Sequence, residues 1–275
     1  MSEEIKNEEK KHSYGLVLSG GGIRGVAHIG AIKALTEYGI NPSIISGTSA
    51  GAIVGAFYAG GYSCEDMLTF FHRTSIFSVY KYAYRKPGLI DTAKFYNIFK
   101  DFFPEDEFEA LLKKLYISTT DIVHGKQNIF HEGQLINPIL ASSAYPGVFT
   151  PVSINDSLHA DGGISNNFPI EPLISRCDKI IGVYANPLKK MTKGEFTSSL
   201  SVLERAFKIG MASMSEHKFE SCSLIIYPEK LAQYRALRLN NIDELFNIGY
   251  EATIQALREQ YGNISNASSV IIAEK

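Results

Sequence analysis

Between Tyr14 and Gly61 two strand–turn–helix units follow one another, each a short apolar run, a cluster of glycines and small residues, then a stretch with helical spacing. YGLVLS at 14–19 runs into Gly20-Gly21-Gly22. Val26, Ile29, Ile32, Ala34 and Leu35 then recur near a 3.6-residue period, and Gly39 stops the pattern as a C-terminal cap does. Ser43 to Ser46 is a second short strand, followed by the small-residue turn Gly47 to Gly51. Ala50 to Ala59 is small and apolar enough for a helix lying close on a sheet, and Gly60-Gly61 ends it. Strands that alternate with helices in this way build a mostly parallel sheet covered on both faces.

The rest of the chain continues the alternation. Leu115 to Thr120, Lys179 to Tyr184 and Ser223 to Tyr227 are further strand candidates. Val152 to Ile154 and Leu158 to Ala160 flank Asn155-Asp156-Ser157, a hairpin-turn composition. Ser199 to Phe219 and Asn241 to Tyr261 carry apolar residues at helical spacing. No repeat or linker interrupts residues 14–262, which are expected to form one catalytic domain between a disordered charged leader, 1–13, and a C-terminal tail, 263–275.

Bulk composition narrows the function classes. At 275 residues, 45% hydrophobic and 20% charged, the chain can bury a large core without disulfides or metals. Its formal charge of −2 lacks the basic excess of a nucleic-acid binder. Cys64, Cys177 and Cys222 are too far apart for metal-ligand spacing, and an odd count suits a reducing compartment. Met1 to His12 is no secretory signal, because it has no apolar run. The uncharged stretch Tyr38 to Cys64 is broken by Pro42 and the 47–51 glycines, so it reads as strand, turn and helix rather than a membrane span. A cytoplasmic protein with room for peripheral membrane contact is expected, and nothing marks its oligomeric state.

Three motifs carry the chemistry. Gly20-Gly21-Gly22-Ile23-Arg24-Gly25 satisfies G-x-G-x-x-G between a strand and a helix, so a dinucleotide site must be weighed. A Rossmann unit needs an acid closing the second strand; here that strand runs into Ser46-Gly47-Thr48-Ser49. In either reading a row of backbone N–H groups at a helix start waits for negative charge, a pyrophosphate or an acyl-transfer oxyanion. Gly47-Thr48-Ser49-Ala50-Gly51 is G-x-S-x-G in strand-to-helix position, where a nucleophile elbow needs small neighbours on both sides of the serine. Asp161-Gly162-Gly163 leaves the hairpin; alone it is an ordinary Asp-Gly turn, and beside a nucleophilic serine it is a proton acceptor followed by two glycines that allow close backbone approach.

Taken in order, the triple-glycine loop with its arginine, the elbow and Asp-Gly-Gly resemble the patatin-like phospholipase family. The stretch ASSAYPGVFTP at 141–151 resembles that family's segment ahead of its catalytic Asp, and the likeness covers roughly 14–184. The resemblance implies a three-layer α/β/α sandwich, no cofactor and no metal. It also implies hydrolysis of lipid acyl esters by a Ser–Asp dyad: Ser49 as nucleophile, Asp161 as base, and Gly21 and Gly22 N–H groups as oxyanion donors. In that picture Gly20, Gly25 and Arg24 belong to the oxyanion loop, Gly47, Thr48, Ala50 and Gly51 to the elbow, and Gly162 and Gly163 to the base loop.

A Ser-His-Asp triad competes, because Ser49, Asp161 and His217 follow the chain order of an α/β-hydrolase. His217 however lies in a helical segment, and His159 shares a strand face with Asp161 only as a neighbour. Under the dyad the acid limb of activity is expected at a carboxylate-like pH. The stretch Met67 to Pro104 holds Phe70, Phe71, Phe77, Tyr80, Tyr82, Tyr84, Phe95, Tyr96, Phe99, Phe102 and Phe103, with Arg73, Lys81, Arg85 and Lys86 interleaved. It suits either an acyl pocket that touches lipid or an aromatic layer on the sheet. Three functions stay open: a lipid acyl hydrolase, an esterase or thioesterase on small soluble acyl groups, and a non-enzymatic nucleotide-binding module.

Overall fold

A computed structural model describes residues 13–73, 83, 85–235 and 241–262. The first strand, β1 (Tyr14–Leu18), runs into helix α1 (Val26–Glu37) through one 3-10 turn at Gly22–Gly25. Strand β2 (Ile44–Thr48) leads through Ser49 alone into α2 (Ala50–Ala59), and α3 (Cys64–Arg73) follows. Then come α4 (Tyr96–Phe102), β3 (Lys114–Asp121), β4 (Lys126–Phe130) and α5 (Ile136–Ser142). The hairpin β5 (Val152–Ile154) and β6 (Ser157–Asp161) precedes α6 (Glu171–Ile174), β7 (Lys179–Val183), α7 (Ser199–Glu216), β8 (Leu224–Ile226) and α8 (Ile242–Tyr261).

These strands form one sheet in the order β5-β6-β3-β2-β1-β7-β8, with β4 also on β3. Strands β3, β2, β1, β7 and β8 are parallel neighbours, and the antiparallel pairings all gather at β3 and the hairpin. The expected mostly parallel sheet flanked by helices is therefore the fold observed. Period-2 alternation assigns its two faces: Leu16, Leu18, Leu115, Ile117, Ile181 and Val183 enter one core, while Val17, Tyr116 and Ile180 enter the other. The first core is the larger and is closed by α1, α2, α3, α4, α5 and α8; the second is closed by Phe168, Ile170 and Leu173 around α6. The Asn155–Asp156 turn has φ of 48° and 61°, the pair of left-handed residues that a tight two-residue hairpin requires.

One feature of pairing positions the site. Residues 117 and 118 of β3 pair with both β2 and β4, and residues 119–121 pair with both β4 and β6. A strand has two edges, so β2 and β6 share one edge of β3 and meet end to end. Thr48 lies opposite Ser118 and Asp161 opposite Thr119. Adjacent rungs of β3 thus bring together two residues separated by 113 positions of sequence.

Candidate active site

Ser49 sits alone between β2 and α2 with φ of 54°, a region that L-residues other than Asn, Asp and Gly rarely enter. Its surroundings explain the small neighbours. A Cβ on Gly47 would come within 2.5 Å of Gly51 O, and one on Gly51 within 2.2 Å of Leu18 O. A Cβ on Gly25 would likewise come within 2.4 Å of the Ala50 Cβ. The Thr48 hydroxyl donates to Asn166 O at 2.8 Å and ties the end of β2 to the chain beyond Asp161.

The serine hydroxyl donates to Asp161 Oδ2 at 2.8 Å. Asp161 is 2% exposed, and its other oxygen accepts the Gly163 N–H at 2.7 Å. Burial pushes the carboxyl up to about 6, against the opposing pull of those two hydrogen bonds. Gly162 is needed for the approach: a Cβ there would come within 2.2 Å of Ser118 O on β3.

The glycine loop lies beside this pair. The Gly20 N–H is committed to Asn167 O at 3.2 Å, whereas the N–H groups of Gly21 and Gly22 enter none of the backbone hydrogen bonds of the described residues. Gly22 takes φ of +61°, which turns the backbone into the following helix. Arg24 is buried; its Nε donates to Gly21 O at 3.1 Å and its Nη2 to Asn186 Oδ1, so it braces the loop from behind. Desolvation lowers its guanidinium to about 10, still far above neutrality. His28 on α1 donates from Nε2 to Ser19 O at 2.8 Å, and burial holds it neutral, down to about 4.

No hydrogen bond links Ser49 or Asp161 to a histidine among the described residues. His159 points to Thr119 Oγ1 at 3.0 Å and packs edge-on against Phe130. His217 caps the C-terminus of α7 and is exposed.

Sequence motifs missed one contact. The Ser49 N–H, which the strained turn removes from both the sheet and the helix ladders, donates to Ser142 Oγ at 2.8 Å. Ser142 in turn donates to Ser118 O at 2.7 Å and is fully buried. It falls in the 141–151 stretch, but nothing local marks it, because its partner is 93 residues away.

Ser49, Asp161 and the glycine loop border one cleft of about 1010 Å³, the solvent-open mouth included. Gly20, Gly21, Gly22, Arg24, Ser49, Ala50 and Asp161 are among its lining residues. Ile53, Phe71, Phe95, Phe99, Leu140 and Phe149 supply most of the apolar wall, and α7 adds Glu204, Phe207, Lys208 and Met211. The aromatic stretch therefore divides. Phe71, Phe95 and Phe99 face the cleft, whereas Phe70, Phe102 and Phe103 pack around Phe57 in the core. Phe77, Tyr80, Lys81, Tyr82 and Tyr84 lie outside the described residues. Lys86 is paired with Asp91 at 2.7 Å.

The patatin-like phospholipase family matches residues 16–174. The chain belongs to that family, a family of lipid acyl hydrolases. It is 30% identical over 197 residues to "Lysophospholipase NTE1" of Yarrowia lipolytica, covering 68% of this chain and 14% of that one. The like-named Saccharomyces cerevisiae protein is 32% identical over 203 residues, 68% of this chain and 12% of its own length. An uncharacterised NTE family protein of Mycobacterium bovis is 32% identical over 173 residues, 60% of this chain and 29% of that one. The chain thus spans less than a third of these relatives. Among solved structures, VipD from Legionella pneumophila superposes with a TM-score of 0.53 at 15% identity, covering 90% of this chain and 67% of VipD, a likeness of fold. No helix among the described residues is long and apolar enough to cross a membrane.

Proposed function

We propose that the protein is a serine acyl hydrolase acting on lipid esters, of phospholipase A or lysophospholipase type, with Ser49 as nucleophile and Asp161 as its base. The observation that carries this reading is the 2.8 Å hydrogen bond from Ser49 Oγ to a buried carboxylate in a cleft with an apolar wall. Asp161 accepts the Ser49 proton as Oγ attacks the ester carbonyl. The Gly21 and Gly22 N–H groups receive the oxyanion, and protonated Asp161 then delivers its proton to the leaving alcohol. The acyl-serine left behind is cleared by a water that Asp161 deprotonates in the same way. The relatives named lysophospholipases support a lipid ester, as does the apolar lining of the cleft.

Burial adjusts one expectation drawn from sequence. With its carboxyl raised to about 6, Asp161 is mostly ionised at neutral pH yet far more basic than a free carboxylate. The acid limb is therefore expected near pH 6, where free imidazole also titrates, rather than near 4. Added organic cosolvent separates the two. Ionising a neutral acid creates charge, so the limb of a carboxyl moves up, while that of an imidazolium does not.

A phospholipid and lysophospholipid panel, run beside a short water-soluble ester with Ser49→Ala as control, tests the proposal. Release of fatty acid that Ser49→Ala abolishes supports it. Turnover of the short ester alone points to a soluble esterase or thioesterase, and no Ser49-dependent turnover of any ester contradicts hydrolysis.

A further inference from the structure

Helix α7 carries apolar side chains on its outer face as well as its inner one. Glu204, Phe207, Lys208 and Met211 face the cleft, and Glu204 and Lys208 pair there at 2.6 Å. The opposite arc carries Val202, Leu203, Ala206 and Ile209 toward solvent, with Leu203 66%, Val202 53% and Ile209 48% exposed. A surface helix normally turns its charges outward, so an apolar outer face implies that something covers it in use. Phe196, 40% exposed, lies just before the helix.

Charge around the face identifies the cover. Residues 186–215 hold five basic side chains and two acidic ones, although the whole chain carries −2. Lys189 is paired with Glu195, and Glu204 lines the cleft and is paired with Lys208, so Lys190 and Lys193 stand exposed in the segment leading to Phe196 with its one acid, Glu195, already engaged. Apolar side chains flanked by lysines match the boundary between acyl chains and anionic headgroups. The same helix forms a wall of the cleft, so contact through its outer face sets the cleft beside the lipid layer.

We propose that the outer face of α7, with Lys190 and Lys193, is a docking surface for an anionic lipid bilayer; its purpose, though not its chemistry, rests on the hydrolase reading above. Co-sedimentation with phosphatidylcholine vesicles, with and without phosphatidylglycerol, tests it, using the full chain carrying Ser49→Ala so that the vesicles stay intact. L203S/I209S is expected to weaken partition onto both vesicles by about tenfold or more. K190E/K193E is expected to weaken only the binding that phosphatidylglycerol adds, and added salt to do the same. In the Ser49 background both variants keep wild-type turnover of a short soluble ester. Vesicle binding that L203S/I209S leaves unchanged overturns the proposal, as does a parent protein that stays off both vesicles. If that parent instead runs as a dimer which L203S/I209S dissolves, a second copy covers the face and the lipid assignment is wrong. Loss of soluble-ester turnover by Ser49→Ala is scored separately, so failure of the hydrolase reading and failure of the surface are told apart.

Discussion

The two halves of the site are built by different means. The Ser49 half is local: β2, one strained serine and α2 are contiguous, and five small residues from Gly47 to Gly51 make the turn sterically possible. The Asp161 half is made at a distance. Its carboxylate arrives because β6 continues the edge of β3 that β2 occupies, and it stays because Gly163 N–H and the Ser49 hydroxyl hold its two oxygens. Each half depends on one glycine against a carbonyl, Gly51 on Leu18 O and Gly162 on Ser118 O. Local geometry is thus enough to strain a serine, but only the sheet topology can bring a carboxylate to it.

The two halves are tested most severely at Ser49 and Asp161 themselves. Ser49→Ala is expected to reduce lipid-ester turnover to background. Asp161→Asn, which keeps an acceptor oxygen but removes the base, is expected to lower kcat by about 10³-fold or more. Retention of more than a tenth of the wild-type kcat by Asp161→Asn would remove the distant half from the chemistry.

The same substitution carries an opposite effect on stability. The folded carboxyl titrates at about 6 against 3.8 unfolded, so its contribution to folding is complete below the unfolded value and lost as pH rises through 6. At pH 8 the fold holds a buried charge that asparagine lacks. Asp161→Asn is therefore expected to be more stable by on the order of 1–3 kcal/mol at pH 8, and hardly so at pH 4. Urea melts at the two pH values read the difference, and equal shifts at both would contradict the burial effect.

Ser142 joins the halves, since it accepts the Ser49 N–H and donates to the β3 carbonyl beside Asp161's rung. Ser142→Ala leaves that N–H without its partner and is expected to lower kcat by about 10- to 100-fold with KM little changed. A change in KM alone would place Ser142 in substrate binding rather than in holding the turn. The smallest effect is expected from His159→Ala and His217→Ala, each leaving turnover within about threefold of wild type. A near-total loss at His217 would replace the dyad by a triad.

Legibility in the sequence followed the same division. The strands β1, β2, β3, β7 and β8 and the helices α1, α2, α7 and α8 emerge within a few residues of their bounds, because each carries its own periodicity. The elbow and the glycine loop are equally readable, being contiguous. Helix α5 is not: seven residues with Pro138 inside and apolar or small side chains nearly all round present no stripe. Strand β4, KQNIF, is half-exposed and mostly polar. Helix α3 did announce itself, with Ser63 and Asp66 exchanging hydrogen bonds at its start and Met67, Phe70 and Phe71 on one face, but reading the aromatic stretch by composition passes over it. The pairing of Ser49 with Asp161 and Ser142 rests on strand register, which no local window contains.

In the proposed reaction a carboxylate, without imidazole, activates Ser49. The rate at which a fluorophosphonate labels Ser49, followed across pH in wild type and Asp161→Asn, tests it without reference to any substrate. Labelling is expected to rise through about pH 6 in wild type and to be slowed by at least about 10²-fold, without that titration, in Asp161→Asn. Equal rates in the two proteins, or a pH 6 titration that survives in Asp161→Asn, would contradict it.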